Sequence, residues 1–343
     1  MISILTPTYN RCHFLGDAIE SALRQSDDDL EVVVIDDGST DGTTEFVAGI
    51  EDARLRYVAV PHGGVSCARN RGIAEARGEF VVWLDADDQL DERAIENYRR
   101  ILRDEPAVDI LYGQWILVDQ DMRETGRRSF AAYERSDMLP AMIHGCTVPQ
   151  GGAMIRRSCF DRVGSFDEDL PYAEDYDFYA RAVEHCSFRA VDEVVYLCRS
   201  HDDHLCGHDN ATDRLHERKV VNRIVEKYGY EAVFPDLYKE NGENAEAGCL
   251  FRMAAIMYQR GGADDGAALF ERALVAAGQR PDESTGREAG RFLYQIALID
   301  RDLYRHHTQR CADAMPGSRL IHKHQRLAAL PTWIHRRIRS VRK

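Results

Sequence analysis

Four short apolar runs, at positions 2–6, 31–35, 55–60 and 80–84, constrain this chain more than any other feature. They are too short for stable helices, rich in Val, Ile and Leu, and mostly apolar on both faces, as strands buried inside a sheet are. Helical periodicity fills the gaps. One stretch runs through Phe14, Ala18, Ile19 and Leu23, one covers 43–50, and one opens at Gly63-Gly64 and passes Cys67, Ile73 and Ala76. Asn10 is placed to cap the first, Ser39 or Thr40 the second, and Gly78 to end the third. Strands alternating with helices at this spacing predict βαβ units, a parallel sheet and right-handed crossovers.

Further along, the pattern predicts a helix over 92–103, a strand over 109–119 and a polar, hairpin-like stretch to Tyr133. A short helix over 136–143, a loop entering a strand at 150–155, a helix over 174–185 and a strand over 188–197 follow. Beyond Ala211 the patterns are helical only, over 250–259, 267–276 and 291–303, the first two forming a hairpin about Gly261-Gly262.

The run at 80–84 passes directly into Asp85-Ala86-Asp87-Asp88, at the sheet edge where α/β folds bind ligands. If extended, Asp85 and Asp87 point the same way. Carboxylates this close repel, and Mg²⁺ or Mn²⁺ shared with substrate phosphates relieves the repulsion. The same residues also suit a solvated turn before the next helix. In Thr6-Pro7-Thr8-Tyr9-Asn10, Pro7 is expected to stop the sheet ladder, and Tyr9 reads either as a packing residue or as a ring that stacks on a planar base. Asp36-Asp37-Gly38-Ser39-Thr40-Asp41-Gly42 either caps the following helix or offers a carboxylate to nucleobase N–H groups or ribose hydroxyls. Arg69 or Arg71 of Cys67-Ala68-Arg69-Asn70-Arg71-Gly72 is placed to reach a base or phosphate. No GxGxxG follows the first strand and no GxxxxGK[ST] occurs, so the phosphate cradles of Rossmann dehydrogenases and P-loop NTPases are missing.

A net charge of −14 argues against general nucleic-acid binding. Nine scattered cysteines without a CxxC pair read as reduced thiols of a cytoplasmic protein. The N-terminus reads as the first strand and not as a signal peptide, and no run approaches the ~20 apolar residues of a membrane span. Eight basic residues and no acidic one follow Asp313. Trp333, Ile334, Ile338 and Val341 lie among them, a pattern that fits either a helix on a membrane surface or a frayed basic tail.

Taken in order, these motifs resemble the family 2 inverting glycosyltransferases, whose GT-A fold binds nucleotide-sugars. The resemblance rests on Thr6–Asn10, the Asp36–Gly42 loop, Ala68-Arg69-Asn70-Arg71-Gly72-Ile73 and Leu84-Asp85-Ala86-Asp87-Asp88. It continues through Gly151-Gly152, Gly164-x-Phe166-Asp167-Glu168 and Glu174-Asp175-Tyr176-Asp177-Phe178, and covers residues 1 to about 205. It implies a mixed, mostly parallel sheet flanked by helices, with an α-helical C-terminal extension outside it. The expected division is 1–210 as catalytic domain (1–105 nucleotide-binding, 106–210 acceptor and catalytic base), 211–318 as helical domain and 319–343 as basic amphipathic tail.

The roles implied by the resemblance are specific. Thr6, Pro7, Thr8, Tyr9, Asn10, Asp37, Arg69, Asp85, Ala86 and Asp87 line the donor, with Tyr9 flanking the base, Asp37 binding it and Asp85 holding the ribose. Asp87 and His201 ligate a divalent metal, Mn²⁺ or Mg²⁺; Asp88 and Glu174 are further candidates. Asp175 is the catalytic base. His201 also opens a His-rich run with His204, Cys206 and His208 whose spacing fits no standard zinc site. The implied activity is inverting, metal-dependent transfer from a nucleotide-sugar, UDP-linked, to a saccharide or lipid-linked acceptor. Separately, the cysteines and the basic tail lead to the expectation of a cytoplasmic protein on the inner face of the membrane. Two rivals remain at this point. A sugar nucleotidyltransferase would need a Gly-rich basic loop after the first strand. A silent GT-A-like scaffold would bind partners through its helical part.

Overall fold

The computed structural model describes residues 1–201, 211–279 and 283–329. The chain divides into two compact units, Met1–His216 and Glu217–Lys343.

The first unit follows the alternation seen in the sequence: β1 (Ile2–Thr8), α1 (Cys12–Leu23), β2 (Leu30–Asp36), α2 (Thr43–Ala48), β3 (Leu55–Ala59), α3 (Val65–Glu75) and β4 (Phe80–Trp83). There follow β5 (Gln89–Leu90), α4 (Ala94–Asp104), β6 (Ile110–Val118), β7 (Glu124–Arg128), α5 (Arg135–Met142), β8 (Met154–Arg156), α6 (Ser158–Val163), α7 (Glu174–Ala182) and β9 (Phe188–Arg199). One sheet joins the strands in the order β3-β2-β1-β4-β8-β6-β9-β5, and β7 pairs with β6. Strands β1 to β4 run parallel, β8 runs antiparallel between β4 and β6, and β6 and β9 are parallel. The strand order reverses between β1 and β4, which opens a crevice at their carboxyl ends. Ile4, Val32, Val34, Val82 and Trp83 are fully buried, which is why the runs lack polar alternation.

Several local expectations change. Pro7 does not stop the ladder, because β1 stays in register with β2 through Thr8↔Asp36. Leu5 O accepts from Leu84 on the β4 side, and Thr8 O accepts from Asp37 on the β2 side. Pro7 is in step with Leu5, so its missing N–H faces β4, where pairing has already ended at Leu5↔Trp83. Asn10 does not cap α1. It has φ 52, and its side chain accepts from Thr40 N–H at 2.8 Å. The α1 N-terminus is served instead by Asp41, which accepts from Cys12 N–H at 2.9 Å. Neither Ser39 nor Thr40 caps α2; Ser39 Oγ accepts from Asn10 N–H. Gly78 lies beyond the end of α3, and a Cβ there would stand 2.6 Å from Ser3 N, so glycine is required by close approach to β1.

In the second unit, α8 (Ala211–Val233), which begins before the boundary, breaks at Gly229 with φ 75. It leads to α9 (Pro235–Asn241), α10 (Glu246–Gln259), α11 (Ala263–Gln279), α12 (Glu283–Ile299), α13 (Arg301–Ala314) and α14 (Arg319–Ala328). Helices α10 and α11 form the expected hairpin, with Phe251, Phe270 and Phe292 at the core. The single helix expected over 291–303 is two, because Asp300 accepts from Leu303 N–H at 2.8 Å and starts α13. Residues 319–328, grouped with the tail in the sequence, form α14, whose Ile321 is buried in this core. Residues 330–343, with the apolar-basic stripe, lie outside the described residues. No described helix is long and apolar enough to cross a membrane.

Candidate active site

The edge of the sheet beyond β1, β2 and β4 collects the polar groups singled out in the sequence. Residues 85–88 are not extended. The chain turns after Leu84, and Asp88 N–H donates to Asp85 O at 3.1 Å. The turn sends the three carboxylates to different partners.

Asp85 faces Arg69 of α3, whose Nη2 lies 3.3 Å from Asp85 Oδ1. The Asp85 N–H donates to Tyr196 Oη at 3.1 Å, so β9 helps to orient it. Asp87 Oδ2 lies 3.0 Å from His201 Nε2 and 3.8 Å from Arg11 Nε. The His201 ring packs on Phe14 of α1, with centroids 4.6 Å apart. Asp88 is buried and accepts from Arg199 N–H at 2.6 Å, which anchors the end of β9. Burial and the charges of Asp87 and Asp85 push the Asp88 carboxyl well above its ordinary range. Ala86 is buried beside Leu15, Ile19 and Val34, so it packs under α1.

The Asp36–Gly42 loop is braced from within. Asp37 is buried, and its Oδ1 and Oδ2 accept from Gly63 and Gly64 N–H at 2.8 and 2.9 Å. His62 Nδ1 also lies 2.8 Å from Oδ2. His62 Nδ1 makes its hydrogen bond to the Asp37 main-chain oxygen at 3.1 Å, so each carboxylate oxygen accepts one backbone N–H. Tyr9 is exposed and stacks on His62, with centroids 4.1 Å apart and planes at 18°. Thr6 and Thr8 are buried, and their hydroxyls have no partner among the described residues.

Helices α3 and α7 meet at the same edge. Asn70 Nδ2 donates to Phe166 O at 3.0 Å, and Asn70 Oδ1 accepts from Phe166 N–H at 2.9 Å. This clamps the turn that precedes α7 onto α3. At the start of α7, Glu174 forms a close ion pair with Arg69. Both side chains are buried, and Arg69 also lies over the Trp83 ring, 5.8 Å from its centroid. Burial raises Glu174 to about 7 against the opposing Arg69 charge. Asp175 is half-buried, and its Oδ1 accepts from Tyr176 N–H at 2.7 Å. Burial holds its carboxyl above the ordinary range, with Arg69 opposing. One guanidinium thus faces three carboxyl groups, those of Asp85, Glu174 and Asp175.

Asp87 Oδ2 and His201 Nε2 are joined by a hydrogen bond of 3.0 Å; a carboxylate oxygen and an imidazole nitrogen are donor types that a divalent ion accepts. His204, Cys206 and His208 lie outside the described residues. A different group, Asp109, Cys159 and Cys186, also brings three ligand atoms within 4.8 Å of one another. There Arg162 Nη2 already sits 2.6 Å from Asp109 Oδ1 and 3.2 Å from Cys159 Sγ, so a cation is present in the form of a side chain.

Sequence reasoning missed Arg11, His62 and Tyr196. Arg11 and His62 adjoin motifs that were found, and adjacency was their one visible signal. Tyr196 lies in an apolar strand and gives none.

The order of the strands and the helices on their flanks give a fold of the GT-A kind. Residues 3–164 match the family model described as Glycosyl transferase family 2. It is 32% identical over 211 residues to an uncharacterized glycosyltransferase of Rickettsia typhi, covering 59% of this chain and 64% of that protein. It is 24% identical over 238 residues to the chondroitin synthase of Pasteurella multocida, covering 67% of this chain and 24% of that protein. The chain therefore spans less than two thirds of the length of either relative. Among solved structures, it matches Staphylococcus aureus TarS 1–349 in complex with UDP-GlcNAc with a TM-score of 0.53 at 17% identity, over 91% of this chain and 88% of that one.

Proposed function

We propose that the first unit transfers a sugar from a nucleoside-diphosphate donor, uridine-linked, to a saccharide or lipid-linked acceptor, with inversion at the sugar carbon. The observation that carries this reading is the bridge through Arg69. It ties Asp85, at the end of the donor strand, to Glu174, next to the base, and so puts the donor carboxylates and Asp175 at one sheet edge. TarS was solved with UDP-GlcNAc, which supports a uridine-linked donor.

In this mechanism Tyr9 flanks the base and the Asp37 carboxylate accepts from a base N–H. Asp85 holds the ribose. Asp87 and His201 would hold a divalent metal, which would supply positive charge against the leaving diphosphate. Arg11, 3.8 Å from Asp87, adds charge at the same place. The acceptor hydroxyl attacks the anomeric carbon and gives its proton to the Asp175 carboxylate. The bond from that carbon to the diphosphate oxygen breaks, and the nucleoside diphosphate leaves with the electron pair. One base and no protein nucleophile mean one displacement, hence inversion. The raised carboxyl of Asp175 favours proton capture.

The test is release of nucleoside diphosphate from a UDP-sugar panel with Mn²⁺. Wild type turns over at least one donor, and Asp175→Asn loses turnover while still binding UDP. A fully active Asp175→Asn enzyme, or no turnover of any donor by wild type, overturns the reading. A silent scaffold would have no need of a half-buried base beside a buried arginine, and no Gly-rich basic loop follows β1 to serve a nucleotidyltransferase.

A further inference from the structure

Gln150 is buried, yet half of its amide is unused. Oε1 accepts from Tyr179 O–H at 2.8 Å, which fixes the plane and the direction of the side chain. Nε2 is enclosed and has no hydrogen-bond partner among the described residues. A buried N–H without an acceptor is costly, and native structures hold few of them. Its location gives it a use. Tyr179 stands four residues after Asp175 on α7, so Gln150 is held on the helix face that carries the base, one turn away. Gln150 also leads directly into Gly151-Gly152, and Gly152 N–H donates to Trp83 O at 2.8 Å, two residues before Asp85. Trp83 Nε1 is a second buried N–H without a partner, on the strand under Arg69. Two unpaired donors therefore sit on segments hydrogen-bonded to the strand that runs into Asp85 and to the helix that carries Asp175. On the glycosyl-transfer reading the transferred sugar lies between diphosphate and base, because acceptor oxygen, anomeric carbon and leaving oxygen lie in line.

We propose that Gln150 reads the transferred sugar, its Nε2 donating a hydrogen bond to an oxygen of that sugar, either a hydroxyl or an N-acyl carbonyl. This rests on the glycosyl-transfer reading above. Nε2 can only donate, so the position selects for an acceptor oxygen and against a sugar that lacks one there. Gln150 specifies the sugar and leaves the nucleotide to Tyr9, Asp37 and Asp85.

The experiment titrates the full chain, with Mn²⁺, using UDP and GDP and then UDP-N-acetylglucosamine, UDP-glucose and GDP-mannose. Gln150→Glu is the first variant, because it keeps volume and an acceptor for Tyr179 while removing the N–H pair; Gln150→Met is the second. For the sugar nucleotide that wild type binds best, both variants raise Kd ten- to a hundredfold, while Kd for the bare nucleotide stays within twofold and shows that the fold is intact. Comparing N-acetylglucosamine with glucose donors tells the carbonyl from a hydroxyl. Equal weakening of bare nucleotide and sugar nucleotide, or no change in either, overturns the inference and leaves glycosyl transfer standing. Failure of wild type to bind any sugar nucleotide overturns both.

Discussion

Asp175 and His201 carry different demands, and each can be tested by one substitution. Loss of general-base help is worth 10²- to 10⁴-fold in rate, so Asp175→Asn should lower kcat by about that factor with little change in the affinity for UDP, measured by titration. The base works deprotonated, and burial raises its carboxyl. Activity should therefore fall on acidification along a limb above the usual carboxylate range, seen in a pH–rate profile. His201→Ala removes the nitrogen 3.0 Å from Asp87, and the Mn²⁺ concentration for half-maximal turnover should rise at least tenfold. At this scale the sequence was partly legible. Asp85 and Asp87 announce themselves by charge at the end of an apolar run, whereas Asp175 was singled out by the family resemblance. The differing fates of Asp85, Asp87 and Asp88 do not, because a turn closed by Asp88 N–H sorts them, and turn geometry is not written in the letters Asp-Ala-Asp-Asp.

Elements placed by periodicity were read well, and those placed by contact were not. Strands β1 to β4 lie within two residues of expectation, since burial on both faces leaves a continuous apolar run. The two-residue β5 and the helix α6 escaped notice because neither is long enough to show a period. The glycine pair at 151–152 was seen as a motif, but its reason is a neighbour: a Cβ on Gly151 would stand 2.5 Å from the Tyr196 ring. Gly151→Ala should thus displace the ring that orients Asp85, lower stability by about 1–3 kcal/mol in thermal unfolding, and weaken UDP binding. In the helical unit, His307 is buried against Phe270, with Nε2 2.9 Å from Tyr258 Oη. Burial, with His306 and Arg310 nearby, lowers it from 6.5 to about 4. The unfolded chain binds the proton more readily, so this contribution is whole above pH 6.5 and is lost as pH falls toward 4, by roughly 3 kcal/mol at the limit. His307→Gln, which still offers Tyr258 an acceptor, should flatten the fall in stability between pH 6.5 and 4 measured by chemical denaturation.

At the scale of the whole molecule, the chain divides into two compact units, Met1–His216 and Glu217–Lys343, and the described elements from Ala211 onward are all helical. The basic stripe from Trp333 to the end lies beyond the described residues. Its sequence supports a contact with anionic lipid, so deleting 330–343 should abolish salt-sensitive binding to phosphatidylserine vesicles in a sedimentation assay, with each lost Lys or Arg worth about 1 kcal/mol. The family motifs were legible as a set because they recur in order, yet nothing in their order says which of them touch. Asn70 with Phe166, and Arg69 with Glu174, are separated by 96 and 105 residues. That separation has a consequence in time. On a ribosome adding ~5–20 residues per second, the donor carboxylates emerge some 4–18 seconds before Glu174 and Asp175. Until α7 is made and docked, the nascent chain holds Arg69 and Asp85 without the partner that completes the ion-pair bridge. The site assembles late, and a chain stalled between the two halves can have its nucleotide-binding strands in place with no base to use them.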